Sequence, residues 1–223
     1  MAEHIVKIIS IEQITHDVKR FKIEKPLDYS FVSGQATDVS INNPEIRNKK
    51  HPFTFTCLNS NPYLEFTIKI YPQHLGVTNQ LNKLQEGDEL IIREAWGTIS
   101  YKGKGVFIAG GAGVTPFIAI LRDLEAKNEL KGNMLIFANK TKEDIILKDD
   151  FHKMLDRNFV NILSDEKTDE YEFGFINPVF IKQYVRDFKQ QFYLCGPPPM
   201  MTAVFAYLEN LGVSANHITT ETF

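Results

Sequence analysis

The chain has 223 residues, 43% of them hydrophobic and 24% charged, with 25 basic and 28 acidic side chains for a net charge of −3. That length suits one large core or two small ones. The charge is split as 12 basic and 12 acidic over residues 1–103 and 13 and 16 beyond, which excludes the basic excess of a nucleic-acid binder.

No apolar run approaches the roughly 20 residues that span a bilayer, and no basic-then-apolar leader opens the chain, so the expectation is a cytoplasmic protein without a membrane segment. Two cysteines, Cys57 and Cys195, exclude a disulfide framework and a cluster held by four thiolates. Six histidines without close pairing give no metal site.

In chain order, short runs rich in Val, Ile, Phe and Thr predict strands at Ile5–Ile14, Val18–Ile23, Ala36–Ile41, Phe53–Cys57, Leu64–Tyr71 and Glu89–Ile92. Turn residues punctuate them at Lys25-Pro26, Ser33-Gly34, Asn42–Pro44, Asn59–Pro62 and Glu86–Asp88. Six strands at that spacing predict a closed antiparallel barrel, interrupted by one helix from about Val77 to Leu84. The boundary is expected at Tyr101–Gly105, giving domains 1–103 and 104–223.

Beyond it the pattern alternates. Strands are predicted at Val106–Ala109, Asn133–Ala138, Phe159–Leu163, Gln191–Leu194 and His217–Thr220. Helices fall between them at Pro116–Lys127, about Ile146–Leu155, Pro178–Val185 and Pro198–Leu211. Five strands with four helical connections predict an α/β, doubly wound parallel sheet. The charge-rich stretch Lys140–Asp150 is expected to be a solvated helix face.

Two segments carry chemistry in this second half. Gly110, Gly111, Gly113, Thr115 and Pro116 follow the apolar run Val106–Ala109, and Cys195, Gly196 and Pro197 follow Phe192–Leu194. Each reads as a buried strand, a tight turn and a helix that starts at a proline. A helix N-terminus offers unpaired amides to phosphate, and glycine lets a dinucleotide approach the backbone. The bland reading, glycine for turn geometry alone, is weighed down by the two turns occurring in order. Cys195 is placed beside the nicotinamide and is not read as a nucleophile, because no activating partner is evident. Cys57 reads as core.

The barrel half has its own ligand signal. His51, Pro52, Phe53 and Thr54 follow Arg47, Lys49 and Lys50, and Thr67, Lys69 and Tyr71 precede Gly76, Val77 and Thr78. At this point the whole chain resembles the ferredoxin–NADP reductase superfamily, through five motifs in that family's order. Phe31–Gln35 resembles its Phe-x-Pro-Gly-Gln turn with Ser33 for proline. His51–Thr54 stands at its Arg-Pro-Tyr-Ser flavin motif, in the His-Pro-Phe-Thr form of the ferric reductase and NADPH oxidase branch. Gly76–Thr78 resembles the Gly-x-x-Ser segment, and the two glycine turns follow.

The resemblance implies an FAD-binding barrel and an NAD(P)H-binding domain, with Phe53 against the flavin ring and Thr54 and Thr115 at its polar edge. Gly76–Thr78 would meet the pyrophosphate. Ile218–Phe223 resembles the family's closing Glu-x-Phe, so Glu221 and Phe223, with Thr54 and Cys195, are the implied catalytic residues. Ala95 departs from a common proline. At His51 a mostly neutral ring replaces a planar cation; either flavin is held less tightly or Lys50, Lys69 or Arg47 supplies the charge.

The implied activity is that of a ferredoxin- or flavodoxin–NAD(P)H reductase-like flavoprotein, serving a separate acceptor: ferredoxin, flavodoxin, free flavin or a ferric complex. The alternatives are an NAD(P)H:flavin or ferric reductase that takes flavin as substrate, and a non-catalytic flavin or dinucleotide sensor or assembly subunit. Ser164-Asp165-Glu166 would place two carboxylates where a 2′-phosphate would sit, which favours NADH.

Overall fold

A computed structural model describes residues 2–73, 76–97 and 99–220. The first half is built from β1 (His4–Thr15), β2 (Val18–Glu24), β3 (Ala36–Ile41), β4 (His51–Thr54), β5 (Tyr63–Lys69), α1 (Val77–Leu81) and β6 (Glu89–Ile92). All pairings are antiparallel, in the order β4-β3-β6-β1-β2-β5. The two edge strands meet where Phe55 bridges Phe66 and the Thr56 amide donates to the Glu65 carbonyl at 2.9 Å, so the sheet curls into a barrel.

Alternation explains its core. Leu64, Phe66 and Ile68 of β5 point inward with Phe21, Ile23, Val39, Phe55 and Leu90. The other face of β5 carries Glu65, Thr67 and Lys69. That face turns toward the second half of the chain, where Arg122 and Asp144 pair with Glu65 and Lys69.

The second half holds β7 (Gly105–Gly110), α2 (Thr115–Ala126), β8 (Met134–Asn139), α3 (Lys148–Leu155), β9 (Phe159–Leu163), β10 (Glu172–Phe173), α4 (Pro178–Tyr184), β11 (Gln191–Cys195), α5 (Pro198–Asn210) and β12 (Ile218–Thr220). The sheet is parallel in the order β10-β9-β8-β7-β11-β12. It therefore has six strands where five were expected. The sixth, β10, is two residues long, too short to show a period in sequence. The charged stretch 140–150 also departs from expectation: α3 starts only at Lys148, and Ile145 and Ile146 are buried.

Helices α2 and α3 cover one face of this sheet, and α4 and α5 the other. Strand order reverses between β7 and β11, with β8, β9 and β10 laid down on one side and β11 and β12 on the other, which creates a crevice at their carboxyl ends. The barrel packs on the α2 side, where its Val18 and Ile99 enter the core of Phe107, Phe117, Ile120 and Tyr193.

Tyr193 also fixes the connection between the two halves. Its ring stacks on Phe107 at 4.4 Å and on Tyr101 at 6.0 Å. Its buried hydroxyl donates to the Gly103 carbonyl at 2.7 Å and accepts from the Lys102 amide at 2.8 Å. Tyr193→Phe keeps the stacking and removes both bonds. It should cost about 1 kcal/mol and lower Tm by roughly 2–4 °C in a thermal melt. An unchanged Tm would show that the hydroxyl does not hold the connection.

Candidate functional site

The reversal of strand order puts the two glycine turns side by side at the ends of adjacent parallel strands, since Ala109 pairs with Cys195. Gly111–Val114 forms a 3-10 turn that runs into α2, and Gly196-Pro197 leads into α5, whose first turn contains Pro198 and Pro199. The turns interlock. A Cβ on Gly113 would collide with the Cys195 carbonyl and stand 2.6 Å from the Gly196 Cα. A Cβ on Gly110 would lie 2.8 Å from Pro197 Cδ. Gly111 is different: its φ is +50°, and a Cβ there would meet nothing within 4 Å. Thus Gly110 and Gly113 serve the packing of one turn on the other, while Gly111 turns open backbone toward space.

That space is a cleft of about 1210 Å³ between barrel and sheet. Gly110, Gly111 and Pro197 line it from one side and Lys69 and Tyr71 from the other. Thr115 stands at the start of α2, its hydroxyl donating to the Ala112 carbonyl at 3.0 Å, followed by buried Pro116. Cys195 is buried at the end of β11. Asp165 also lines the cleft, at the end of β9, and accepts from the Ser164 hydroxyl at 2.6 Å.

Lys69 is held within a cross-cleft group. Its Nζ lies 2.8 Å from Asp17 Oδ2 and 3.6 Å from Asp144 Oδ1, and His16 Nε2 lies 3.8 Å from Asp144. His16, Asp17 and Asp144 are close enough to hold a metal ion, but the Lys69 ammonium already supplies the positive charge there. Burial opposes the charge on Lys69, yet the Asp17 hydrogen bond and the two carboxylates hold its pKa above the usual lysine value. Burial likewise opposes the Asp144 charge, yet bonds from the Thr141 hydroxyl and amide, with Lys69 and His16, hold its pKa below the usual value. The Asp144 contribution is present above its unfolded pKa and lost as pH falls through the lowered folded one; that of Lys69 is lost only as pH rises through its raised value.

The remaining barrel residues lie outside the lining of this cleft. His51 is exposed on β4 and stacks on Phe53 at 4.9 Å and 25°. Its Nδ1 is 3.0 Å from the Pro52 carbonyl. Phe53 packs on the barrel core, and Thr54 is half-buried at the strand end. Gly76 and Val77 border a small hollow with Lys49 and Gln80, and Thr78 is buried in α1. The buried Thr67 hydroxyl donates to Thr56 Oγ1 at 3.2 Å. Glu221 and Phe223 lie outside the described residues.

Sequence reasoning missed the polar group between the domains. Arg122 of α2 donates to the Thr56 carbonyl at 2.7 Å and to Glu65 Oε1 at 2.8 Å. Glu65 is 3% exposed and also accepts from the Thr56 hydroxyl at 2.8 Å. One signal was visible: a carboxylate in the apolar run Leu64–Ile70. What covers it comes from another domain and leaves no local pattern.

Residues 5–101 match the oxidoreductase FAD-binding domain family, and residues 107–205 the oxidoreductase NAD-binding domain family. The chain is 26% identical over 234 residues to the reductase component of propane 2-monooxygenase from Rhodococcus jostii, covering 97% of this chain and 62% of that protein. It is 28% identical over 228 residues to NADH–cytochrome b5 reductase 1 of Arabidopsis thaliana, covering 93% and 80%. The fold matches a ferredoxin NADP+ reductase from Neisseria gonorrhoeae solved with FAD and NADP (TM-score 0.87, 18% identity, 99% and 98% covered). It also matches the CS-b5R domains of human Ncb5or in the NAD+ form (TM-score 0.87, 26% identity, 99% and 70% covered). Among the described residues no helix is long and apolar enough to cross a membrane.

The interlock separates two glycines that look alike in sequence. Gly113→Ala should destabilise by more than about 3 kcal/mol or prevent folding, because the clash is with backbone. Gly111→Ala should cost only about 1 kcal/mol, the strain of a left-handed residue. Urea denaturation of both proteins decides it, and equal losses would contradict the assignment.

Proposed function

The chain belongs to the ferredoxin–NADP reductase superfamily, and on that premise we propose that it is an FAD-dependent NAD(P)H oxidoreductase serving a separate electron acceptor. The observation that carries this reading is the cleft itself. An open glycine turn at a sheet's reversal point faces a lysine and a tyrosine of the barrel across about 1210 Å³. A nucleotide fits such a place: Gly111 lets it approach the backbone, the start of α2 offers amides, and Lys69 offers charge.

The flavin side fits by its donors and its room. His51 and Phe53 form a stacked pair, Thr54 presents a hydroxyl, and a Cβ on Gly76 would meet nothing within 4 Å. In this reading Pro52 fixes the strand beside Phe53, Thr67 of β5 and Tyr71 just beyond it support the ring, and Gly76, Val77 and Thr78 hold the pyrophosphate with Lys49. When bound, FAD supplies hydride acceptance from reduced dinucleotide and onward delivery of electrons. The chain's own part is placement and exclusion of water. Gly110, Gly113, Thr115, Pro116, Gly196 and Pro197 shape the dinucleotide turns, while Cys195, Glu221 and Phe223 frame the nicotinamide. The domains divide at residues 103 and 104.

Relatives named as a monooxygenase reductase component and an NADH–cytochrome b5 reductase support a redox protein as the acceptor. NADH is the favoured donor. Asp165 stands in the cleft, and Glu166 neutralises nearby Lys142, accepting from its amide at 2.7 Å and lying 3.8 Å from its Nζ. A 2′-phosphate dianion would be repelled there. A second reading, flavin as a substrate, rests on the exposed imidazole of His51 where a planar, permanently charged guanidinium would grip phosphate.

Purified protein should carry FAD and bleach on anaerobic addition of NADH, with NADPH binding at least about tenfold more weakly. Asp165→Ser should narrow that gap. Gly111→Val should slow reduction severely and leave flavin absorbance intact. Protein that loses FAD on purification yet reduces added flavin would establish the second reading, and failure to bleach in either form would end both.

A further inference from the structure

We propose that Arg122 is a positioning residue: its guanidinium sets the register between the dinucleotide turn and the flavin strand, and so the alignment for hydride transfer. The inference rests on the oxidoreductase reading above. Arg122 reaches from the second domain to two barrel strands at once. One nitrogen, Nη1, donates both to the Thr56 carbonyl at 2.7 Å and to Glu65 Oε1 at 2.8 Å. Asp150 lies 3.9 Å from its Nη2, and Arg20 Nε lies 3.9 Å from Glu65 Oε2. Thr67 continues the group by donating to Thr56 Oγ1 at 3.2 Å.

The path from this junction to each cofactor segment is short and stiff. On one side α2 is a single helix with Phe117 through Leu121 at most 1% exposed, and Arg122 stands seven residues after Thr115, a rise of about 10 Å. On the other side Thr56 follows Thr54 by two residues, about 7 Å along an extended chain. A shift at Arg122 is therefore passed to the glycine turn and to Thr54 with little to absorb it.

Net stabilisation is a weak reason for such a pair. A buried carboxylate and the partly buried guanidinium facing it lose hydration that their attraction barely repays, and apolar replacements often do as well. What a directional donor adds over apolar contact is geometry. Apolar contact is already present: Val18 and Ile99 join the second domain's core, and a Cβ on Gly34 would lie 3.1 Å from Ile120 Cδ1. Those side chains hold the domains together without fixing how one slides on the other. Arg122 supplies the short directional constraint at this end of the interface, with the longer Lys69–Asp144 contact at the cleft edge.

The test compares wild type, Arg122→Lys and Arg122→Gln, each as the full chain loaded with FAD. Four quantities are read: FAD content, affinity for the oxidised dinucleotide, rate of flavin reduction by NADH in stopped flow, and calorimetric melting. Misplacement of reacting groups by about 1 Å costs on the order of a hundredfold. Arg122→Gln should therefore reduce flavin about 10–100 times more slowly. FAD content and dinucleotide affinity should stay within about twofold, and the lysine variant should recover part of the rate through one retained bond.

Calorimetry without added dinucleotide should show one transition for wild type and two for Arg122→Gln. An unchanged rate, or a rate that falls only in parallel with FAD content, overturns the proposal. If wild type itself is not reduced, the oxidoreductase reading fails instead. The melting arm then decides the tie alone, with two transitions upholding it and one transition overturning it.

Discussion

Gly113 lies against the Cys195–Gly196 backbone with no room for a side chain, and the rest of the site hangs on that contact. It locks the turn after β7 to the turn after β11, the two adjacent strands between which the strand order reverses. Because the turns brace each other, neither needs a ligand to hold its shape. Gly111 is then left with its open side toward the cleft, and α2 and α5 start from fixed points. A preformed site of this kind spares the ordering cost that binding would otherwise carry.

The barrel meets this platform through two different kinds of contact. Deep in the interface, the buried Glu65 and Thr56 meet the partly exposed guanidinium of Arg122. Nearer the cleft, Lys69 stands between Asp17 of its own domain and Asp144 of the other. Both are partly open to water through their cations, Arg122 and Lys69, so salt screens each in part, and the buried Glu65 carboxylate is the most sheltered of the charges. They also divide the labour. The junction fixes relative position, whereas Lys69 ties the two domains at the cleft edge through the carboxylates of Asp17 and Asp144.

Much of the architecture was legible because periodicity and punctuation are local. Alternation of Leu64, Phe66 and Ile68 reads as one buried strand face, and the glycine-proline pairs mark both turn-to-helix starts. The two-residue β10 carries no such signal, since its place is given by pairing with β9. The start of strand β4 at His51 rather than Phe53 was hidden for the same reason: pairing with Val39 extends it past the point where propensity fades. Within the site, the glycines were readable as a set but not in their separate duties. Gly113 and Gly111 differ only in what faces them, and that is a tertiary fact. Arg122 and Asp144 were invisible as site residues because each acts through a partner in the other half of the chain, and Asp17 because its partner Lys69 lies on a distant strand of the same barrel.

In the proposed reading the cleft presents one face of a reduced nicotinamide to the flavin at a fixed orientation. The most direct measurement uses NADH carrying deuterium at one or the other C4 position, with flavin reduction followed in stopped flow and the product dinucleotide analysed by mass. A fixed orientation predicts that only one of the two labelled forms loses its deuterium, and that reduction slows for that form alone. Equal loss from both positions, or bleaching with the label retained in both, would contradict the claim.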